Sequence, residues 1–146
     1  MALRRIVKVG DETLRKISKP VVKFDEGLED LLDDMWETMF ANDGMGLAAP
    51  QVGVLRRVVV VHVNNMRLEL VNPVIVHEEG EDIEKEGCLS VGSEHKKVKR
   101  PYKVTVKAQD RYGYEFMVTG EKFLARCICH EVDHLNGILF IDKAEE

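Results

Sequence analysis

The sequence predicts an α+β fold in which antiparallel β-sheets pack around a C-terminal helix carrying an H-E-x-x-H motif, with an amphipathic helix near the N-terminus. Two apolar stripes of helical period lie toward the two ends of the chain, and valine-rich or alternating segments fill the middle. Short turns join these middle segments, as expected of antiparallel sheets. No linker or repeat divides the 146 residues, so we expect one domain, residues 1–146.

The composition excludes several classes of protein. Hydrophobic residues make up 45% of the chain and charged residues 32%, which is not the composition of a disordered chain. A formal charge of −5 disfavours sequence-independent binding to nucleic acid. Three cysteines do not make a disulfide framework, and no segment has the form of a signal peptide or membrane helix. We therefore expect a soluble, cytoplasmic protein.

The first helix is predicted from Leu28 to about Phe40. Asp25 can cap its start, and Asn42-Asp43-Gly44 can end it. Apolar residues recur along it at three- and four-residue steps, the spacing of one buried stripe: Leu28, Leu31, Leu32, Met35, Trp36 and Met39.

Strand patterns follow this helix. Asn72-Pro73 is expected to interrupt the second strand, and Arg111-Tyr112-Gly113 is expected to form the turn of the last hairpin. The predicted strands are Arg57–Val63, Met66–Val71, Val74–His77, Lys97–Gln109 and Tyr114–Val118.

The late helix is predicted from Glu121 to about Leu135, where the apolar spacing changes to a helical period. Asn136-Gly137 ends it in the manner of a C-cap. A short apolar strand, Ile138–Ile141, is expected to follow.

This late helix carries His130-Glu131-Val132-Asp133-His134. Histidines four residues apart lie on one helix face about 6 Å apart along the axis, close enough to bind one divalent cation. Glu131 lies beside the first histidine, where its carboxylate is placed to reach a metal-bound water molecule rather than the metal itself. The motif is short, so by itself it also fits two histidines spaced by chance.

A catalytic metal site with two histidines needs a third protein ligand. Cys88 follows Gly87 in a segment between strands, and a thiolate is a strong ligand for zinc or ferrous iron. Cys127 lies about 10 Å along the axis from His134, better placed to line a pocket, and Cys129 points away. Cys88 is therefore the favoured third ligand, and the other two cysteines are assigned to the core.

A third segment, residues 44–53, has the sequence GMGLAAPQVG. It fits either a tight loop between helix and sheet or the wall of a site where bare backbone bonds an extended ligand. It lacks the G-x-x-x-x-G-K-[ST] pattern of a phosphate-binding loop, with no strand entering it and no clear helix following.

Taken together and in this order, GMGLAAPQVG (44–53), EGCLS (86–90) and HEVDHLNG (130–137) resemble the three signature motifs of the peptide deformylases. The likeness runs over nearly the whole chain. It implies an enzyme that removes the formyl group from the N-terminal formyl-methionine of newly synthesised polypeptides, which would be its partners.

The resemblance implies that Cys88, His130 and His134 hold one metal ion and that Glu131 is the general acid and base. It favours Fe²⁺ in the cell, with Zn²⁺, Ni²⁺ or Co²⁺ as substitutes, all of which suit two imidazoles and one thiolate. Asp133 is interpreted as a residue that orients the site rather than as a ligand.

The resemblance also assigns the substrate contacts. Gln51 and the backbone N–H of Leu89 would form the oxyanion hole, and Met45, Gly46 and Gly87 would meet the substrate's backbone. Two oxyanion donors suit formamide hydrolysis, because losing one such donor typically costs about 3–4 kcal/mol.

Two features depart from the family pattern. Gly92 stands where the family usually has proline, which is expected to loosen the loop beyond Leu89. The chain ends at Glu146, whereas many relatives carry a longer C-terminal helix that contacts the ribosome. The resemblance therefore leaves open whether this chain binds the ribosome. We expect a monomer that binds neither membranes nor nucleic acid directly.

Three other functions compete with this interpretation. A metallopeptidase shares H-E-x-x-H, but no histidine follows His134 to complete its ligand set. A non-catalytic metal module would have four protein ligands and no acid/base glutamate. A relative that had lost activity would lack part of a ligand and acid set that is complete here.

Overall fold

The computed structural model describes residues 2–145 and shows mainly antiparallel sheets with two α-helices. A five-stranded antiparallel sheet has the order β1-β2-β3-β6-β7, and β4 and β5 form a separate two-stranded sheet. The helices are α1 (Glu26–Ala41) and α2 (Phe123–Leu135), and the strands are β1 (Gly46–Ala48), β2 (Val58–Val63), β3 (Met66–Glu79), β4 (Asp82–Cys88), β5 (Gly92–Arg100), β6 (Lys103–Gln109) and β7 (Glu115–Glu121).

The valine run of β2 lies inside the larger sheet and contributes to the cores on both of its faces. Val58 and Val60 pack with the apolar stripe of α1, whereas Val59 and Val61 pack with α2. Successive side chains of a strand point to opposite faces, so a continuous apolar run is what a strand covered on both sides requires. The two helices therefore cover opposite faces of one sheet.

Helix α1 agrees closely with its predicted range. Asp25 is its N-cap, and its carboxylate accepts a hydrogen bond from the Leu28 backbone N–H. Asn42 is the C-cap, and Asp43 takes the left-handed conformation with φ of 55°. The buried apolar positions are those of the predicted stripe.

Strand β3 does not stop at Asn72-Pro73 as predicted. It runs unbroken from Met66 to Glu79, with a register shift against β6 at this point. Asn72 adopts φ of 53°, and its side-chain amide bonds both the N–H and the C=O of Val21. The bulge absorbs the proline while the strand continues.

Two other predicted strands were wrong. The segment Lys97–Gln109 divides into β5 and β6, which belong to different sheets and are separated by Pro101-Tyr102. The segment Ile138–Ile141 forms no strand; a 3₁₀ helix, Phe140–Lys143, occupies that region. The Asp142 carboxylate there accepts a hydrogen bond from the Leu139 backbone N–H, a local cap that apolar periodicity does not reveal.

Helix α2 begins at Phe123 rather than Glu121, because Gly120 and Glu121 still pair with β6. It lies across the sheet and also contacts β5. Within residues 2–145, none of the helices combines the length and apolar character needed to span a membrane.

Candidate metal centre and substrate cleft

The end of β4 meets one face of α2 at three potential metal ligands. Cys88 is the last residue of β4, and its Sγ lies 3.3 Å from Nε2 of His134. One potential ligand atom from each of Cys88, His130 and His134 lies within 4.8 Å of the other two. Both histidines are buried and Cys88 is half-buried. Two nitrogens and one sulfur form a donor set that suits zinc or ferrous iron.

The other two cysteines lie outside this group. Cys129 is buried in the core between α2 and the sheet. Cys127 lines the cleft beside the three ligands, and burial raises the pKa of its thiol to about 12. Cys127 is not among the three residues whose potential ligand atoms converge, and its neutral thiol offers an apolar wall to the cleft.

Glu131 reaches the same point from α2. Its Oε2 lies 3.9 Å from Nε2 of His130, and its Oε1 is buried without a hydrogen-bond partner among the described residues. Burial raises the pKa of this carboxyl to about 7. A group with a pKa near neutrality can both accept and return a proton.

Gly46 in β1 packs directly against Glu131. A Cβ atom at this glycine would lie 2.5 Å from Oε2 of Glu131, closer than real Cβ atoms approach other atoms. The missing side chain therefore brings the backbone of β1 against the acid/base candidate. The segment 44–53, for which a tight loop or the wall of a site was predicted, contains β1 and a 3₁₀ helix, Ala49–Val52.

Gln51 lies on this 3₁₀ helix and is buried. Its Oε1 accepts a hydrogen bond from the Ala48 N–H at 3.0 Å, which fixes the orientation of the amide. Its Nε2 is then directed toward Ser90 Oγ at 3.2 Å and Cys88 Sγ at 3.5 Å. Leu89 lies between these two residues, so the two predicted oxyanion donors belong to adjoining segments.

A buried charge network behind His130 was not predicted. Glu86 Oε1 pairs with Nδ1 of His130 at 2.9 Å, and Arg100 binds both Glu86 oxygens at 2.8 and 3.0 Å. Arg126 adds a contact of 2.6 Å to Glu86. Burial by itself raises the pKa of Glu86, but the hydrogen bonds from His130 and Arg100 dominate and lower it to about 2. The network fixes the ring of His130, leaving Nε2 to face the centre.

Asp133 joins the same network through an ion pair with Arg100. Asp133 was predicted to orient the site rather than to bind the metal, and that role stays a prediction. Glu86 was present in the sequence as the first residue of E-G-C-L-S, but its pairing with His130 spans 44 residues. Burial lowers the pKa of His134 well below its ordinary value, which keeps that imidazole neutral.

The N-terminal segment bonds to both segments that carry the predicted oxyanion donors. Val7 donates its backbone N–H to the carbonyl of Gln51 at 2.7 Å, and Val9 donates to the carbonyl of Ser90 at 2.8 Å. Between them, Nζ of Lys8 donates to the carbonyl of Leu89 at 3.0 Å. These contacts are non-local, and no motif in the segment indicates them.

A cleft of about 580 Å³ opens above these residues. Met45, Gly46 and Gly87 line it together with Leu89, and Met45 is half exposed. Gly92, at the start of β5, also lines the cleft and has φ of 90°. A proline is fixed near φ of −65°, so the family's proline does not fit the backbone conformation observed here.

The chain is similar to known proteins over nearly its whole length. A family model described as polypeptide deformylase matches residues 3–146. The chain is 56% identical over 144 residues to a peptide deformylase from Thermoanaerobacter pseudethanolicus, covering 99% of this chain and 91% of that protein. It is similar to the crystal structure of peptide deformylase from Thermotoga maritima, with a TM-score of 0.98, 40% identity and complete coverage of both chains. It is also similar to the crystal structure of a peptide deformylase from Legionella pneumophila, with a TM-score of 0.95 and 49% identity, covering 99% of this chain and 87% of that one.

Proposed function

The chain belongs to the polypeptide deformylase family, and we propose that the cleft above Cys88, His130 and His134 is where it removes the formyl group from N-terminal formyl-methionine of nascent peptides. The reaction is a metal-dependent hydrolysis of a formamide that releases formate. The observation that carries the assignment to this cleft is the convergence of two imidazoles and one thiolate beside the buried carboxylate of Glu131.

The three ligand residues fit one divalent metal ion. Their potential ligand atoms lie within 4.8 Å of one another, and Glu86 fixes the His130 ring. We propose Fe²⁺ as the metal used in the cell, with Zn²⁺, Ni²⁺ and Co²⁺ as substitutes, since each accepts this donor set. When bound, the ion supplies Lewis acidity, which lowers the pKa of water and polarises a carbonyl.

Glu131 moves the proton. Its carboxylate accepts a proton as water attacks the formyl carbon, and it returns that proton to the departing amine when the C–N bond breaks. Such acid/base participation typically contributes about 10²–10⁴-fold to the rate. Burial of the carboxyl and the close backbone of Gly46 keep its position fixed.

Gln51 and Leu89 stabilise the negative charge that develops on the formyl oxygen. The Gln51 amide is oriented by the Ala48 N–H, so its Nε2 can turn from Ser90 to an oxyanion with little rearrangement. The second donor is the Leu89 backbone N–H. Preorganised donors of this kind are effective because no reorganisation is needed during the reaction.

The substrate's main chain lies along Met45, Gly46 and Gly87. Strand β1 is at the edge of its sheet and pairs with β2 on one side only among the described residues. An extended peptide can therefore add beside it and bond to its backbone. The methionine side chain of the substrate packs against the apolar wall of the cleft formed by Cys127 and the neighbouring turn of α2.

Residues 1–146 act as a single catalytic domain, because residues from Lys8 to Glu131 line the same cleft. The enzyme works as a cytoplasmic monomer on formyl-methionyl nascent chains. Direct contact with the ribosome is not required for the proposed chemistry.

The test is a formate-release assay on a formyl-Met tripeptide, using protein purified without oxygen and analysed for metal. We expect formate in proportion to bound metal and no cleavage of the matching acetyl-Met tripeptide. Cleavage of an internal peptide bond instead would indicate a metallopeptidase. Bound metal without any hydrolysis would indicate a binding module and overturn the proposal.

A further inference from the structure

The rim of the cleft carries positive charge that the proposed chemistry does not use. Lys8 and Lys85 line the cleft with exposed side chains, and the exposed ring of His95 lies on the same lining. Asp43 is the one exposed carboxylate among the described lining residues, whereas the other acids there are buried. The chain as a whole has a formal charge of −5, so this rim differs in sign from the protein around it.

The β4–β5 hairpin concentrates this charge. Lys85 lies directly opposite Lys97 in the antiparallel register, and directly opposed residues point to the same face. Neither side chain forms an ion pair with any residue between 2 and 145. By contrast, Lys96 lies 3.2 Å from Glu94, and Lys99 lies 3.8 Å from Glu81. Lys97 also has Glu145 beside it on its other side, where the Glu145 backbone N–H donates to the Lys97 carbonyl at 2.7 Å, so Lys85 is the hairpin lysine that faces the cleft without a neighbouring carboxylate opposite it.

The same face forms the wall along which the peptide's main chain is proposed to run. Gly87 lies two residues after Lys85, and a Cβ atom there would lie 2.5 Å from Nε2 of His95. The imidazole thus covers the bare backbone of Gly87. Across the cleft wall, the bond from Lys8 Nζ to the Leu89 carbonyl at 3.0 Å holds a third cation in place.

We propose that this basic rim makes the enzyme prefer formyl-Met substrates with an acidic side chain at the second, third or fourth residue. The inference rests on the proposed function, because it requires a peptide that leaves the metal centre beside Gly87. At physiological salt, charges are screened over about 8 Å, so the nearby lysines outweigh the distant net negative charge. Exposed ion pairs are weak, and we expect a preference of about two- to fivefold.

The experiment compares formyl-Met peptides that carry glutamate or the isosteric glutamine at each of these three positions. The wild-type enzyme should show a kcat/KM about two- to fivefold higher for glutamate at one or more positions, and high salt should abolish the difference. The Lys85→Gln, Lys97→Gln double variant should lose most of the preference. Lys85→Glu should instead favour a lysine-containing peptide over its glutamine counterpart.

The Lys19→Gln, Lys23→Gln double variant is the matched control, because both lysines are exposed, lie off the cleft and carry the same two charges. It should keep the glutamate preference of the wild type. Equal kcat/KM for glutamate and glutamine at all three positions would overturn the proposal, as would a preference that survives in the double variant. Formate release from the glutamine peptides would show that the proposed function holds even then; no formate from any peptide would overturn both.

Discussion

Helices α1 and α2 pack against opposite faces of one sheet, and the two helices bury different types of side chain. The buried stripe of α1 consists of leucine, methionine and tryptophan side chains with two polar residues beside them. Helix α2 buries four acidic or basic side chains in only 13 residues: Arg126, His130, Glu131 and His134. Both are amphipathic helices, but the buried stripe of α1 is mainly apolar whereas that of α2 is partly charged.

The difference shows what buried charge requires. Removing a charged group from water costs several kcal/mol unless partners replace the hydration. On α2, Glu86 from the hairpin is that partner for His130, and Arg100 in turn pairs with Glu86. Helix α1 needs no such arrangement, because apolar burial is stabilising by itself. We therefore expect substitutions in α2 to affect activity and those in α1 to affect stability.

The largest effect is expected for Glu131→Gln on α2. The amide cannot accept and return the proton, so kcat should fall about 10²–10⁴-fold while metal content stays at the wild-type level. The measurement is kcat together with metal per chain. On α1, Glu37→Gln makes the same chemical change and should leave kcat unaltered. Loss of metal from Glu131→Gln would make Glu131 a ligand, and normal turnover would place the acid/base elsewhere.

Cys88→Ser should weaken metal binding far more than Cys127→Ser or Cys129→Ser. A hydroxyl is a poor replacement for a thiolate on a borderline cation, whereas the other two thiols are neutral parts of the cleft wall and the core. Metal retained after dialysis against a weak chelator provides the measurement. Equal retention in all three variants would exclude Cys88 as the third ligand.

Leu32→Ala on α1 should reduce the free energy of unfolding by about 2–5 kcal/mol, because a fully buried leucine leaves a cavity. The kcat per folded molecule should remain that of the wild type. Denaturant unfolding and kinetics below the transition check both parts. A fall in kcat without loss of stability would mean that α1 takes a direct part in the site.

Asp34→Asn on α1 should have the smallest effect, about 1 kcal/mol at neutral pH. The carboxylate accepts hydrogen bonds from the Ala2 backbone N–H at 2.7 Å and from Arg4 at 2.9 Å. Burial opposes ionisation, but these bonds outweigh it and hold the pKa below 3.8. The stabilisation is therefore full above pH 3.8 and is lost as pH falls through the lower folded value, so the variant and the wild type should converge in acid. A stability difference that grows as the pH falls would be inconsistent with this assignment.

Sequence patterns predicted the features of the two helices that depend on residues close together in the chain. The stripe of α1, the cap at Asp25 and the histidine pair of α2 are set by neighbours within one or two turns, which is the range that helical periodicity reports. Cys88 was favoured from the residue chemistry that a third ligand requires. Each of these features can be read from a short stretch of chain.

The partners of the buried charges could not be predicted in this way. The pairing of Glu86 with His130 crosses 44 residues, and the contact of Lys8 with Leu89 crosses 81. The continuation of β3 past Asn72 also depends on a distant contact, with Val21. Such features follow from tertiary packing, which overrides local strand and turn signals.

The most direct test of the account is an anaerobic titration of metal-stripped protein with Fe²⁺ or Co²⁺ while formate release from a formyl-Met peptide is measured. We predict that the rate rises in proportion to added metal and stops rising at one ion per chain, and that Cys88→Ser shows no such break. Full turnover in the metal-free chain, or the same titration curve in Cys88→Ser, would contradict the assignment of the α2 site as the catalytic centre.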